Sequence, residues 1–343
     1  MFEAAINAAA EAAPHQTEPV ALVPGLQLHV DGDYLAYYAS GNEDTTPGEA
    51  RLNAISLIEV FRAAVGAEAV VMHNTAKGCH KGERYLIATV KPYQAQRVDG
   101  RKPKNHGYLQ NWLQGYEGPL FRAKNWTSRE ADDGIAACAH FAVGREPGYI
   151  AIATADKDMR MLPGLHLNWK TRQLTTVSPG AYDVMGEDDK QYGLKFFFQQ
   201  MLMGDAADNC PGLEKYEVQH PDGSFKALKP CGEKTAIKLL EGCTNVQEAL
   251  DVVLQLYRGG YHGQHDNVPY DRFVEQAGLL WMRCGLDASV TDFATHKGAS
   301  AIPYPTPILE AAKRLQERVT LARTAINALA DSDCALRTDS LAA

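Results

Sequence analysis

Three short apolar runs, at residues 26–30, 69–73 and 149–155, are rich in Val, Ile, Leu and Ala, and stretches with a helical repeat fill the intervals between them. Runs that are apolar at successive positions over so few residues are the signature of strands covered on both faces. Over 53–65, Ile55, Leu57, Ile58, Phe61 and Val65 recur at helical spacing, and over 130–143 Ile135, Ala136, Ala139 and Val143 do the same. Strands alternating with helices predict an α/β domain on a mostly parallel sheet flanked by helices. No apolar run approaches the roughly 18 residues of a membrane span, so no membrane partner is expected.

The rest of the chain is punctuated differently. Residues 1–24 are Ala-rich and end near Pro24, which reads as a flexible leader before a first domain over 25–200. Within that domain, 92–128 carries Pro103, Gly107, Gly115, Gly118 and Pro119 among basic and aromatic residues. It is too long and too charged for an ordinary connection and is expected to be a functional arch or loop. From about Phe196 the pattern turns helical, so 201–343 is expected to be a helical region, clearest at 232–240 and 308–330. Leu315, Val319 and Ile326 of the last helix are expected to close the core, and 258–268 to be a polar loop.

Seven cysteines without a Cys-x-x-Cys pair suit a reducing cytoplasm and buried free thiols. A zinc site shared by Cys210, Cys231 and His220 is the lesser alternative. The net charge of −8 argues at first against a polyanionic partner. That average conceals segregation: 77–104 holds Lys77, Lys81, Arg84, Lys91, Arg97, Arg101, Lys102 and Lys104 against only Glu83 and Asp99. Tyr93, Tyr108, Trp112 and Tyr116 interleave with the basic residues or follow them, a composition that can guide a single strand by stacking. For Trp112 packing is the preferred reading.

The carboxylates fall where chemistry would need them. Asp31 directly follows the first apolar run, and Asp156 and Asp158 directly follow the third. In open parallel sheets ligands bind just outside the carboxyl ends of strands. Glu130, Asp132 and Asp133 open a helix whose start should lie at that edge, and Asp205 and Asp208 sit in Met-Gly-Asp-Ala-Ala-Asp-Asn at 203–209. Each acid has a structural reading too: Glu130 in a capping box with Thr127, Asp33 as the cap of a helix starting at Tyr34, Asp208 as a turn residue. Four clusters converging on one edge repel one another unless cations neutralise them, and hard divalent ions with oxygen ligands are the natural partners. Two such ions would activate a water and steady a leaving oxygen.

Val-Asp-Gly-Asp at 30–33, Glu-Ala-Asp-Asp at 130–133, Thr-Ala-Asp-Lys-Asp at 154–158 and the 203–209 segment together resemble the ordered acidic motifs of the 5′→3′ exonuclease and flap endonuclease family, in its short bacteriophage form. The resemblance covers roughly 26–245. It implies a PIN-like (resolvase-like) domain, two Mg²⁺ ions with Mn²⁺ as a substitute, and cleavage of DNA at duplex ends, nicks, 5′ flaps or single-stranded 5′ tails. RNA in RNA–DNA hybrids is a further candidate substrate. It further implies that Asp31, Glu130, Asp132 and Asp133 serve largely one metal, and Asp156, Asp158, Asp205 and Asp208 largely the other. The setting that goes with it is viral DNA replication or DNA degradation in a host cytoplasm. Two positions depart from the family pattern: Asn74 stands where an Asp is usual, and Gln94 stands where a phosphate-contacting Lys is usual. Arg97 is kept, and Lys81, Arg84 or Lys91 is expected to supply the missing cation.

After Asp208, Pro-Gly-Leu at 211–213 and Gly-Glu-Lys-Thr-Ala at 232–236 flank an insertion over 214–230 that looks like a hairpin or loop. The flanks resemble the family's helix-hairpin-helix-type element (H3TH). Gly232 would let a phosphate approach the helix start, Lys234 and Lys238 would share one face, and Ile237 and Leu240 would be buried. Two other readings remain in play: a catalytically weakened nucleic-acid scaffold, suggested by Asn74 and Gln94, and a haloacid-dehalogenase-like phosphatase, suggested by Asp31-x-Asp33.

Overall fold

The first apolar run becomes β1 (Val23–Asp31), which leads without a loop into α1 (Gly32–Tyr38). A second helix, α2 (Pro47–Val65), returns to β2 (Ala67–Thr75). Its ends are written in the sequence. Thr46 Oγ1 accepts from Glu49 N while Glu49 Oε2 accepts from Thr46 N, Pro47 opens the first turn, and Gly66 closes the last with φ 65°. Next come α3 (Arg84–Ile87), α4 (His106–Gln114) and β3 (Arg122–Trp126), then α5 (Ala131–Ala142), β4 (Ala151–Ala153), β5 (Gly164–Leu167) and β6 (Leu174–Val177). A two-stranded pair, β7 (Val184–Met185) and β8 (Gln191–Tyr192), precedes α6 (Leu194–Met203). Beyond it, β9 (Glu217–Gln219) pairs antiparallel with β10 (Phe225–Ala227). The remainder is helical: α7 (Glu233–Leu239), α8 (Val246–Gly260), α9 (Val268–Leu280), α10 (Asp292–Thr295) and α11 (Thr306–Leu341). This computed structural model describes residues 20–341 except 98–99, 214–216, 220–224, 228–230, 262–263 and 286; the side chains of 217–219, 225–227 and 331–341 are likewise outside the description.

Six strands form one sheet in the order β3-β2-β1-β4-β5-β6, all parallel except the β5–β6 pair. The strand order reverses between β1 and β4. Such a switch point opens a crevice at the carboxyl ends of the strands, because the connections leave in opposite directions. Alternation divides the sheet between two cores. Leu26, Leu28 and Val30 of β1 and Ala151 and Ala153 of β4 face a core closed by α1, α2 and α4. Ile150 and Ile152 face the other, which is continuous with α5, α6 and the C-terminal helices.

The expected α/β sheet followed by a helical region is present, and several boundaries move. Val23 already belongs to β1, so the strand starts before Pro24; residues 1–19 of the expected leader lie outside the described residues. The segment 92–128 is not all arch: Leu109 and Leu113 of α4 are fully buried, and β3 is a strand of the main sheet. The division at 200/201 falls inside α6, where Phe197, Phe198, Met201 and Leu202 pack into one core. In α11, Leu315 and Val319 are buried as expected, whereas Ile326 is exposed, so the helix leaves the core after Val319. The insertion at 214–230 contains the β9–β10 pair, while Tyr216, His220, Asp222 and Gly223 lie outside the described residues. The zinc alternative through His220 thus lies outside the described residues; Cys210 and Cys231 are buried free thiols. No described helix is long and apolar enough to cross a membrane.

Candidate metal centre

Asp31 ends β1 at the switch point and caps α1: its Oδ1 accepts from Tyr34 N at 3.1 Å and its Oδ2 from Thr154 Oγ1, just past β4, at 3.3 Å. The cap is therefore Asp31 and not Asp33. Asp33 instead accepts from Thr75 N at 3.2 Å and ties α1 to the end of β2. Burial, helped by the charges of Asp33 and Asp156, pushes the Asp31 carboxyl up to about 7. Asn74, at the end of β2, is buried, donates to Asn125 Oδ1 at 3.0 Å and packs its own carbonyl against Gly32.

Glu130, Asp132 and Asp133 gather at the start of α5, with ligand oxygens within 4.8 Å of one another. Glu130 is the N-cap residue, but its side chain makes no cap and the capping box with Thr127 does not form. Instead Glu130 Oε2 accepts from Tyr93 Oη at 3.0 Å and from Arg84 Nη1 at 3.2 Å. Asp133 is fully buried and grips Arg84 in a two-point pair of 2.7 and 2.8 Å, with Arg283 N adding a third bond at 2.9 Å. Burial works to raise the Asp133 carboxyl, and the guanidinium outweighs it, leaving it below the usual range. Asp132 has no ion-pair partner among the described residues. Burial and the Asp133 and Glu130 charges hold it well above the usual range.

The second group comprises Asp158, Asp205 and Asp208, again with oxygens within 4.8 Å. Asp156 stands beside it, starting the turn Lys157–Met161 by accepting from Asp158 N at 2.9 Å. Burial raises both Asp156 and Asp158, and nearby carboxylates add to it. Lys157 Nζ reaches between Asp158 Oδ1 at 3.1 Å and Asp205 Oδ2 at 2.6 Å. The loop carrying Asp205 and Asp208 is clasped by two glycines, Gly204 (φ 70°) and Gly212 (φ 65°), which press backbone to backbone; a Cβ on either would overlap the other's strand. Across that loop Tyr93 Oη and Gln94 Nε2 each reach Asp208 at 3.0 Å, and Arg97 pairs with Asp208 as well.

The basic residues divide. Arg84 is 2 % exposed and belongs to the interior, which corrects its reading as a DNA contact or a replacement phosphate cation. Lys81 Nζ bonds Gln94 Oε1 at 2.5 Å and stays 43 % exposed, so a cation stands beside the position where Gln94 brings none. Arg101 and Lys104 are exposed and bonded to Glu43, and Lys91 and Lys102 are exposed. On α7, Gly232, Lys234 and Lys238 are exposed, and so is Ile237, against expectation; Ala236 and Leu240 supply the buried face. Trp112 packs edge-on against Tyr116 and Phe121. Sequence reasoning missed Tyr93 as a member of the acid cluster, Lys157 as its internal cation, and Gln200, whose Nε2 donates to Asp158 Oδ1 at 2.5 Å. Of these only Lys157 was signalled, by its place between two acids.

No family model and no curated protein matches this sequence. Solved structures that resemble the chain include the bacteriophage T5 flap endonuclease in a pseudo-enzyme–product complex with DNA and metal ions, 17% identical over 86% of this chain and 99% of that one, with a TM-score of 0.44. The T5 5′-exonuclease with bound zinc is 17% identical over 86% of this chain and 99% of that one, with a TM-score of 0.45. The T5 D15 protein co-crystallised with metal ions is 16% identical over 85% of this chain and 98% of that one, with a TM-score of 0.42.

Proposed function

We propose that the chain is a divalent-metal-dependent 5′→3′ nuclease that hydrolyses DNA phosphodiesters near 5′ ends, nicks or flaps. The observation that carries this reading is the convergence of Asp31, Glu130, Asp132, Asp156, Asp158, Asp205 and Asp208, from four separate segments, at the switch point of a parallel sheet. The donor set fits hard cations: it is all oxygen, and burial together with neighbouring carboxylates raises Asp132 and Asp158, a crowding of like charge that a cation relieves. Glu130 and Asp132, with Asp31, would hold one ion; Asp158, Asp205 and Asp208, with Asp156 near them, the other. When bound, Mg²⁺ or Mn²⁺ would polarise the phosphate and acidify the attacking water.

The protein's own residues do the rest. Lys157 and Arg97 neutralise Asp158, Asp205 and Asp208 in the absence of metal, and both are partly exposed, so each can swing away. Released, Arg97 joins Lys81 at the rim to hold the scissile phosphate. Asp133, locked on Arg84, orients α5 rather than binding the ion first. The exposed start of α7 with Lys234 and Lys238 would hold the duplex, and Lys91, Arg101, Lys102 and Lys104 would guide a 5′ strand; RNA in a hybrid would meet the same phosphate contacts. A role in viral DNA replication or DNA breakdown, in a host cytoplasm, goes with this activity.

The test is cleavage of 5′-labelled duplex and flap DNA with Mg²⁺, with EDTA, and by Asp205→Asn. Metal-dependent release of short 5′ products, lost in the variant, is the expected result. Tight DNA binding without cleavage by the unaltered chain would sink the nuclease and leave a nucleic-acid scaffold.

A further inference from the structure

At the far end of α5, away from the acids, three soft and borderline ligands meet. His140 lies in the last turn of α5, Cys284 follows α9, and His296 closes α10. One ligand atom of each lies within 4.8 Å of the other two. Cys284 Sγ is 3.1 Å from His296 Nδ1, and the His140 and His296 rings meet edge-on with centroids 4.6 Å apart. Tetrahedral bonds of about 2.3 Å to sulfur and about 2.0–2.1 Å to nitrogen place S and N about 3.5 Å apart, so the Cys284–His296 pair already stands near one edge of a coordination sphere.

The His296 nitrogen that faces Cys284 is Nδ1, while Nε2 on the other side of the ring is buried and has no hydrogen-bond partner among the described residues. The neighbouring indole is held elsewhere: Trp281 Nε1 donates to Asp292 Oδ2 at 3.2 Å. Asp292 also accepts from Cys284 N at 2.8 Å and from Gly285 N at 3.0 Å, so this carboxylate fixes the backbone that carries Cys284. Its Oδ2 lies 3.4 Å from Cys284 Sγ, where a thiolate would meet a second negative charge.

We propose that His140, Cys284 and His296 bind one zinc-class divalent ion, with water completing the sphere and the thiol proton released to solvent. The ion ties the end of α5 to the segment 281–296. The same segment reaches the start of α5 through Arg283 N and Asp133, so the helix that carries the acids would be pinned at both ends. The site is independent of the nuclease reading, since it shares no ligand with the acid cluster.

Cobalt(II) is the probe, titrated into the full chain after metal removal. One equivalent should give a sulfur-to-cobalt charge-transfer absorption, which an all-oxygen site cannot produce. The absorption should persist in Asp205→Asn and vanish in Cys284→Ser. His140→Ala, at a half-buried position, should weaken cobalt binding by at least about tenfold. Zinc should raise the melting temperature of the unaltered chain and not that of Cys284→Ser. Absence of the absorption in the unaltered chain, or its survival at full affinity in His140→Ala, would overturn the proposal even if Cys284→Ser fails to fold.

Discussion

The two acidic groups of the candidate centre are neutralised in opposite ways. At the start of α5 the compensating charge is Arg84, buried, planar and joined to Asp133 at two points. Across the crevice it is Lys157 and Arg97, on side chains 34 % and 52 % exposed. A guanidinium locked inside the protein is architecture, because leaving would strand an unpaired buried charge. A cation at the rim is a placeholder, since water can take it back at little cost. The crevice thus has one fixed wall and one that can exchange its counter-charge.

The largest effect should come from removing a carboxylate on the exchangeable side. Asp156→Asn or Asp205→Asn should lower the cleavage rate by at least about a hundredfold, the scale seen when a preorganised electrostatic group is lost. DNA affinity measured in Ca²⁺ should change little; near-normal cleavage would break the assignment. On the fixed side, Arg84→Ala should cost about 3–5 kcal/mol of stability. Denaturant unfolding should show that loss with and without Mg²⁺, because the metal does not replace a buried partner of Asp133.

Lys157→Ala should behave in the contrasting way. Its melting temperature should fall in EDTA and recover in Mg²⁺, and metal should bind more tightly than in the unaltered chain. If Mg²⁺ fails to rescue it, the distinction between the two walls collapses. The pH dependence sharpens the same point. Carboxyls whose pKa is raised on folding hold protons more tightly in the folded chain, so their contribution to stability is fully present below about 4 and is lost as pH rises towards 7. Without metal, stability should therefore decline over that window, less so in Asp31→Asn, and the gain on adding Mg²⁺ should grow. The smallest effect is expected at the duplex-holding helix: Lys238→Ala should weaken DNA binding evenly across sequences and reduce the log–log salt slope by about 1.

What could be read in the sequence was whatever depends on position along one strand or helix. Asp31 and Asp156 were legible because an acid after an apolar run lies at a strand end whatever the rest of the chain does. Edge strand β3 was not, because Arg-Ala-Lys-Asn-Trp has no apolar run and is made a strand by its pairing with β2. Tyr93 and Gln94 escaped for another reason. For Tyr93, the partners Glu130 and Asp208 lie 37 and 115 positions further along the chain, and no local pattern encodes that return. Arg84 was read as a surface cation because charge suggests exposure, and only a buried Asp133 reverses the inference. Ile237 shows the converse, an apolar residue at a helical spacing that the helix leaves in solvent.

The glycine clasp at 204 and 212 bears on how this crevice can vary. Ala206 and Ala207, at the tip of the clasped loop, are exposed and can change without disturbing what lies beneath them. Any side chain at either glycine would wedge the loop open and carry Asp205 and Asp208 away together. The two acids are in effect one movable part on a single hinge pin: drift in the loop's sequence can decorate its tip, but it cannot retune one carboxylate while sparing the other.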